Sequence, residues 1–359
     1  MGRLVLTREF RMKRPLAIRS VLVGITCLGW ACGGGEGGGG AGGSTVKLQG
    51  AGASFPAPLY NKWFKAYSAA HQNVLVDYQS VGSGSGVKSV IDHTVDFGAS
   101  DAAMKPDDMT KVPEGIQLFP MTAGSIVLAY HLENVEGLKL SRKAYSGIFL
   151  GQIKRWNDPA IAQANPEVKL PDLPVHVVVR ADSSGTSFVF SQHLSAMSPE
   201  FEKGVGANNM PNWPVGTKSK GNEGLTASIL STPGSIGYIE YGFAKSQKMQ
   251  MATLENKSGK YVQATTASGQ AALASAALPD DLIAWAKDPD VPDAYPIVTY
   301  TWLICYKKYP DKNKMQTMQD LVRFGLTEGQ KDAEGLGYIP LPETVVAKAT
   351  AAVQNLSSQ

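Results

Sequence analysis

The sequence has few of the residues on which metal, redox and disulfide chemistry depends. Its 359 residues include 3 Cys and 5 His, and neither type forms the closely spaced pairs that hold a metal ion. It also lacks a large excess of either charge, because 34 Lys and Arg oppose 31 Asp and Glu for a net charge of +3. Without a clustered basic face, so small an excess argues against a nucleic-acid partner. We expect no metal, no cofactor and no nucleic acid.

The signatures of common enzyme classes are missing too. Residues 82–86 have Gly84 where a nucleophile elbow places its serine. Residues 216–222 have the glycine spacing of a P-loop, but Asn222 stands where that motif requires lysine. No Ser-His-Asp set is identifiable, although a triad assembled in space would leave no trace in the sequence. These absences favour a binding protein over an enzyme.

No long hydrophobic run occurs, and the apolar run from Val21 to Trp30 is too short to cross a bilayer core of roughly 30 Å. Residues 1–31 contain six basic side chains and one acidic one, which with this run predicts a signal peptide. Translation could begin at Met1 or at Met12. The rest of the chain holds 28 basic and 30 acidic residues, a net charge of −2. The mature protein therefore cannot attract an anion through a general positive field.

Cys32 directly follows the predicted signal peptide. Its surroundings resemble a bacterial lipoprotein processing site, in which Cys32 would be lipidated and become the first mature residue. Gly29 and Trp30 fit that pattern poorly, so ordinary cleavage nearby is the alternative. Nine glycines between residues 33 and 43 predict a flexible tether, which we extend over residues 32–45. We expect a periplasmic protein anchored to the membrane through Cys32.

The mature chain alternates β-rich runs with helical patterns, which predicts an α/β fold. Its length suggests two domains. Cys305 lies in an apolar run and is expected to be a buried small hydrophobe. The main predicted strands and helices are Val74–Tyr78, Ser125–Tyr130, Val175–Arg180 and Ile297–Tyr306, and Pro56–Ala70, Val87–His93, Thr186–Ala196 and Lys314–Phe324, respectively.

Three loops place Ser, Thr and Gly directly before a predicted helix, at residues 50–56, 82–86 and 180–187. The free N–H groups and the positive end of such a helix favour an anion. Arg180 adds a guanidinium suited to phosphate oxygens. For each loop the alternative is an ordinary helix start, and Ser54 has the chemistry of an N-cap. Together the three loops favour an anion site.

The same segments carry four motifs of one known protein family. They read Gly50-Ala-Gly-Ala-Ser-Phe-Pro-Ala-Pro58, Val81-Gly-Ser-Gly-Ser-Gly-Val-Lys88, Val95-Asp-Phe-Gly-Ala-Ser-Asp101 and Arg180-Ala-Asp-Ser-Ser-Gly-Thr-Ser187. In this order they strongly resemble the periplasmic phosphate-binding proteins, which are the substrate-binding components of bacterial phosphate ABC importers. Residues 147–157, 220–224 and 234–241 match as well, and the resemblance runs from about residue 48 to 345.

This resemblance implies a two-lobed periplasmic-binding-protein fold of type II. Each lobe would be a mixed sheet flanked by helices, and a two-strand hinge would join the lobes. The chain should cross between them near residues 120–125 and return near 296–301. We expect lobe one to comprise residues 46–121 and 300–359, and lobe two to comprise residues 122–299.

The resemblance also implies which residues contact phosphate. They are Ser54 and Phe55 through backbone N–H groups, with Ser83, Asp101, Arg180, Ser184, Gly185 and Thr186, while Asp182 would pair with Arg180 and orient it. Two departures stand out. Ser183 occupies a position where relatives often carry Gly, and residues 82–86 read Gly-Ser-Gly-Ser-Gly where relatives often read Gly-Ser-Ser-Gly-Gly. The second departure leaves open whether Ser85 faces the ligand as well.

Asp101 would select phosphate through the proton that this anion carries near neutral pH. A carboxylate can accept a hydrogen bond from a protonated oxygen, whereas sulfate has no proton to give. A site built around such a bond can reject the analogue that lacks it by roughly 10⁴–10⁵-fold. Arsenate is a protonated isostere of phosphate, so Asp101 would not discriminate against it. Without the resemblance, the simpler interpretation of Asp101 is a helix N-cap.

The favoured function is high-affinity binding of phosphate between two lobes of a monomer, followed by delivery to the permease subunits of an ABC importer. A change of the bound anion to sulfate, molybdate or arsenate on the same scaffold stays open, and so do two alternatives of other functional classes. One is a secreted phosphatase that uses Ser184 or Ser83 as a nucleophile. The other is an adhesin or surface sensor on the same scaffold.

Overall fold

The computed structural model describes residues 45–358. The predicted signal peptide, Cys32 and the predicted tether up to residue 44 lie outside the described residues. The strands are β1 Val46–Gly52, β2 Val74–Ser80, β3 Phe97–Ser100, β4 Ile116–Tyr130, β5 Lys139–Leu140, β6 His176–Arg180, β7 Thr217–Ser219, β8 Ser235–Glu240, β9 Gln250–Met251, β10 Thr253–Glu255, β11 Tyr261–Val262, β12 Val298–Tyr306, β13 Lys308–Tyr309 and β14 Ser357–Ser358.

Helices connect most of these strands. They are α1 Ala57–Ala70, α2 Ser83–Ile91, α3 Pro106–Met109, α4 Arg142–Phe149, α5 Pro159–Ala162, α6 Gly185–Met197, α7 Pro199–Gly204, α8 Gly221–Ser231, α9 Tyr241–Ser246, α10 Thr266–Ala274, α11 Lys312–Leu326, α12 Ala333–Leu336 and α13 Glu343–Ala352, with 3₁₀ turns at Glu328–Asp332 and Val353–Asn355. The predicted α/β class is confirmed.

The main sheet has the strand order β2-β1-β3-β12-β4-β8-β6-β7, and β9 also pairs with β4. Strand β4 divides it, because residues 116–125 of β4 pair with β12 and residues 126–130 pair with β8. We call the two parts the first half-sheet (β2, β1, β3, β12 and residues 116–125) and the second half-sheet (residues 126–130, β8, β6, β7 and β9). Both are mixed, as expected. The predicted lobe limits stay a prediction.

The parallel strands of both half-sheets lead into the loops and motif segments that the sequence predicts to bind the anion. In the first half-sheet β1 is parallel to β2 and β3, and in the second β6 is parallel to β7 and β8. Ligands in open α/β sheets bind at the carboxyl ends of parallel strands. Both sets of carboxyl ends lead into these segments, and hydrogen bonds join the segments of one half-sheet to those of the other.

Strands β4 and β12 form the interior of the protein. Every residue of both strands is buried, as a sheet covered by helices on both faces requires. Cys305 on β12 is a free, buried thiol, and burial raises its pKa to about 12. The expectation that this cysteine is a packing residue is confirmed.

Helix α2 begins at Ser83, four residues before the predicted start at Val87, so that prediction was wrong. Glycine-rich segments are poor helix formers, but the close packing here requires glycine. A Cβ added at Gly86 would lie 2.6 Å from Gly52 Cα and 2.7 Å from the Ala51 carbonyl oxygen. Contact with β1 therefore outweighs the low helix propensity of the segment.

Two properties of residues 45–358 bear on function. Over this range no helix is both long enough and apolar enough to traverse a bilayer. The same range has no cluster of three His, Cys, Asp or Glu side chains placed to share a metal ion.

Candidate anion-binding site

The site is built around Asp101, which directly follows β3 and is 1% exposed. Thr301 Oγ1 donates a hydrogen bond to Asp101 Oδ1 at 3.1 Å, and Thr186 Oγ1 donates to Oδ2 at 3.1 Å. Thr301 belongs to the first half-sheet, whereas Thr186 lies on α6, which follows β6 of the second. The Asp101 carboxylate therefore links the two halves of the molecule.

Burial raises the pKa of Asp101 to about 7, although hydrogen bonds from Thr301 and Thr186 and the charge of Arg180 oppose the rise. Asp101 consequently changes its protonation state close to neutral pH. The simpler interpretation of Asp101 as a helix N-cap was wrong. Its carboxylate accepts from side-chain hydroxyls, and the next helix, α3, begins only at Pro106.

Arg180 ends β6, and its side chain is 1% exposed. Its guanidinium holds Asp182 with two hydrogen bonds, from Nε to Oδ1 at 2.8 Å and from Nη2 to Oδ2 at 2.5 Å. Nη1 points to Thr186 Oγ1 at 3.4 Å. Burial acts to raise the pKa of Asp182, but the bonds and charge of Arg180 and the Gly221 N–H outweigh it, and the pKa lies below its usual range. The predicted pairing of Arg180 with Asp182 is therefore present in the structure.

Helix α6 starts directly against the Asp101 loop. Ser184 caps it by accepting the Ser187 N–H at 3.0 Å. A Cβ added at Gly185 would lie 2.6 Å from Ser83 Oγ and 2.8 Å from Asp101 Cβ, so this approach requires glycine. The free N–H groups and positive end of α6 thus lie beside Asp101 and Arg180.

Ser54 does not cap its own helix. Helix α1 begins at Ala57 without a side-chain cap, and Ser54 Oγ instead accepts from the backbone N–H and the side-chain Nδ2 of Asn222, both at 3.0 Å. The N-cap interpretation of Ser54 was therefore wrong. The neighbouring Phe55 is fully buried, and its carbonyl accepts the Tyr338 hydroxyl at 2.7 Å.

The two serines of the glycine-rich segment differ in environment. Ser83 is 1% exposed, and its Oγ accepts the Asp101 N–H at 3.3 Å. Ser85 is exposed and lines a surface cavity with Gln79 and Lys220. Ser83 thus bonds directly to Asp101, whereas Ser85 shares its cavity with Asp182.

Comparison with known proteins connects this geometry to a family. A profile described as a PBP superfamily domain matches residues 39–328. The phosphate-binding protein PstS of Xylella fastidiosa is 37% identical over 86% of this chain and 85% of its own length. Its namesake from Pasteurella multocida is 38% identical over 85% of this chain and 89% of its own, and that from Methanocaldococcus jannaschii is 36% identical over 84% of each chain. The chain belongs to this family of phosphate-binding proteins. The resemblance found in the sequence is confirmed.

Solved structures agree on the fold. A high-affinity periplasmic phosphate-binding protein (PfluDING) bound with phosphate has a TM-score of 0.69 at 20% identity and covers 86% of this chain and 94% of its own. An ancestral soluble variant of the human phosphate binding protein has a TM-score of 0.71 at 20% identity, with the same coverage. The predicted two-lobed fold of type II is thereby confirmed.

The two departures from the phosphate-binding motifs meet in space. A Cβ added at Gly84 would lie 2.0 Å from Ser183 Oγ and 2.5 Å from its Cβ, and the Gly84 N–H donates to the Ser183 carbonyl at 3.0 Å. A serine at position 84 would collide with Ser183, whereas a glycine at 183 would leave room for it. The two departures therefore compensate each other.

The sequence did not identify two residues that bond directly to predicted site residues, Thr301 and Asn222. Thr301, which bonds Asp101, lies in a strand that alternates apolar and threonine residues (Val298 to Trp302), and that alternation was the available signal. Asn222 stands where a P-loop requires lysine, and its place in a matching segment, residues 220–224, was the available signal.

Proposed function

We propose that this protein binds inorganic phosphate between its two half-sheets and delivers it to an ABC importer. The observation that carries the proposal is the direct juxtaposition of Asp101 and Arg180, both bonded to Thr186 at the start of α6. The guanidinium and the helix start supply positive charge, and the carboxylate supplies an acceptor for a ligand proton. The names of the relatives support the same ligand.

The proposed phosphate contacts are those expected from the family motifs: Ser54, Phe55, Ser83, Asp101, Arg180, Ser184, Gly185 and Thr186, with Asp182 orienting Arg180. We further propose that lobe one comprises residues 46–121 and 300–359 and lobe two residues 122–299, and that phosphate stabilises their closed arrangement. The change of partner of β4 after Ser125 supports a hinge in this region.

The test is calorimetric titration of phosphate-free protein with phosphate, sulfate and arsenate at pH 8. We expect tight binding of phosphate and arsenate and negligible binding of sulfate, because only the first two can donate a proton to Asp101. Equal affinities for phosphate and sulfate would remove the selective role of Asp101. The absence of phosphate binding would overturn the proposed function and favour the adhesin or sensor alternative.

The phosphatase alternative is not favoured, because over residues 45–358 neither the Ser184 nor the Ser83 hydroxyl shares a hydrogen bond with a His, Asp or Glu side chain that could act as its general base. We propose a binding protein without catalytic activity. An assay with a phosphomonoester tests this, and hydrolysis that disappears in the Ser184→Ala variant would contradict it.

We also propose a periplasmic, monomeric protein whose signal peptide is removed and whose Cys32 is lipidated. The basic and apolar residues before Cys32 and the glycines after it support this. Mass spectrometry of the mature protein should find an acylated N-terminal Cys32, and the Cys32→Ala variant should leave the membrane fraction. An unmodified Cys32 would contradict the lipid anchor.

A further inference from the structure

The start of α8 is capped by a residue from the other half-sheet. Helix α8 follows β7, and Lys220 at its N-cap position provides no side-chain hydrogen bond. Ser54, which follows β1, accepts both the backbone N–H and Nδ2 of Asn222 in the first turn of α8. A hydroxyl that accepts N–H groups there replaces a normal N-cap. This cap can exist only while the two halves are in contact.

The orientation of the Asn222 amide is fixed by the residue behind it. Asn222 is fully buried, and its Oδ1 accepts the Glu240 backbone N–H at 3.0 Å. A backbone N–H can only donate, so the oxygen of the amide must face Glu240 and Nδ2 must face Ser54. Asn222 is therefore an obligatory donor to the Ser54 hydroxyl.

Two donors to Ser54 Oγ leave its own hydrogen for another acceptor, because a hydroxyl has two lone pairs and one O–H. Ser54 follows β1, next to β3, the strand that leads into Asp101. On the other side, Gly221 at the start of α8 donates to Asp182, the partner of Arg180. Ser54 thus follows a strand that neighbours the one leading to Asp101, and the helix start that it caps contacts Asp182.

We propose that Asn222 is a positioning residue that forces the Ser54 hydroxyl to act as a hydrogen-bond donor to the bound phosphate, and that it does so only in the closed arrangement. The inference rests on the proposed function. Asn222 itself does not contact the ligand in this scheme. Its effect on affinity passes through Ser54, and it should slow phosphate release more than it speeds phosphate capture.

The test is a double-mutant cycle on the full chain, with phosphate affinity and stopped-flow rates as readouts. Asn222→Asp is nearly isosteric and keeps the acceptor for the Glu240 N–H, but its carboxylate would draw the Ser54 hydrogen toward itself. Asn222→Ala removes the amide without adding charge. Each is made alone and together with Ser54→Ala. Thr226→Val is the matched control, because Thr226 lies on α8 with a buried hydroxyl and no hydrogen-bond partner.

We expect Asn222→Ala to weaken phosphate binding by about 10–100-fold, the range for losing a buried hydrogen-bonded donor, with most of the change in the dissociation rate. In the Ser54→Ala background the same substitution should cost less than about 3-fold, because its target is gone. Because of its charge, Asn222→Asp should weaken phosphate binding more than Asn222→Ala does, both with Ser54 and with Ser54→Ala. Its effect should nevertheless also be smaller when Ser54 is replaced. Thr226→Val should bind like the wild type.

Additive effects of Asn222 and Ser54 substitutions would overturn the inference, as would a loss confined to the association rate. Either result leaves the proposed function intact, because the wild-type protein in the same series would still bind phosphate. A wild-type protein that does not bind phosphate would overturn both.

Discussion

The two sides of the site shift the pKa of an aspartate carboxyl group in opposite directions. Asp101, beside the first half-sheet, has a pKa raised to about 7 because burial outweighs its hydrogen bonds from two threonines and the charge of Arg180. Asp182 lies beside the second half-sheet and is less deeply buried than Asp101. Its pKa is lowered, because the hydrogen bonds and the charge of Arg180 outweigh the effect of burial. One carboxyl therefore supplies a permanent charge that orients Arg180, and the other supplies an acceptor that can gain a proton.

This difference explains how a chain of net charge −2 after residue 31 could hold an anion. Asp182 compensates Arg180, so the attraction comes from directed N–H groups of Arg180 and α6 rather than from a positive surface. Asp101 then distinguishes anions by their protons.

The largest effect is expected from Arg180→Ala. It removes the guanidinium from the site and leaves the buried Asp182 carboxylate without its charged partner, so the charge around the anion becomes more negative. Truncating one member of a buried charged pair costs about 2–5 kcal/mol, and we expect phosphate affinity to fall by about 10³-fold or more in calorimetry. Arg180→Lys keeps the charge but not the planar fork, so its phosphate affinity should lie between those of the wild type and Arg180→Ala. Retained affinity in Arg180→Ala would place the site elsewhere.

Asp101 should make anion selectivity depend on pH. Above pH 7 the carboxylate repels sulfate, but below its pKa a protonated Asp101 can donate to a sulfate oxygen. Sulfate affinity should therefore rise by about tenfold per pH unit as the pH falls toward 7, where one proton is taken up per anion bound, and should level off below pH 7, where Asp101 is already protonated. Titrations between pH 5 and 8 measure this. In Asp101→Asn the slope should vanish and selectivity should fall by about 100-fold. A wild-type sulfate affinity that does not change with pH would contradict the prediction.

The contact between Gly84 and Ser183 predicts that a second substitution can restore phosphate binding. Gly84→Ser should weaken phosphate binding by about 10–100-fold, because the new side chain would collide with Ser183 and hold the halves apart. Adding Ser183→Gly should restore most of the affinity. Ser183→Gly alone is the control and should change affinity by less than about threefold. If the double variant binds no better than Gly84→Ser, the two departures are independent.

The two carboxyl groups should also differ in their effect on folding stability. The pKa of Asp101 is higher in the folded protein than its unfolded value of 3.8, so the folded state binds the proton more tightly. Stability from this group is present below about pH 4 and is lost as the pH rises to about 7, by up to about 4 kcal/mol at 1.36 kcal/mol per pKa unit. Denaturant titrations of phosphate-free protein should therefore show a flatter pH profile for Asp101→Asn than for wild type.

Asp182→Asn is the matched comparison for that experiment. The pKa of Asp182 is lowered, so this group is ionised in both folded and unfolded states between pH 5 and 8. Its substitution should change stability by a constant amount over this range and leave the slope unaltered. Parallel flattening in both variants would show that Asp101 is not the group that titrates.

The sequence predicted the α/β class, the main strands and the loops that meet at the site, because each loop joins a strand to a helix start and carries its own polar residues. It could not predict the start of α2, where contact between Gly86 and Gly52 overrides helix propensity. Nor could it show that Ser54 caps α8 and not α1, since Ser54 is 168 positions away from Asn222, the α8 residue whose N–H it accepts. Local patterns identify capping chemistry, but tertiary contact decides which helix receives it.

The smallest effects distinguish Ser83 from Ser85, the serines that the sequence could not rank. Ser83 is buried against Asp101 and Gly185, so Ser83→Ala should cost about tenfold in phosphate affinity, the value of one hydrogen bond to a charged group. Ser85 is exposed on the same helix turn, and Ser85→Ala should change affinity by less than twofold. Calorimetry on both variants decides which hydroxyl reaches the anion. A larger loss in Ser85→Ala than in Ser83→Ala would mean that the glycine-rich turn presents its other face to the ligand.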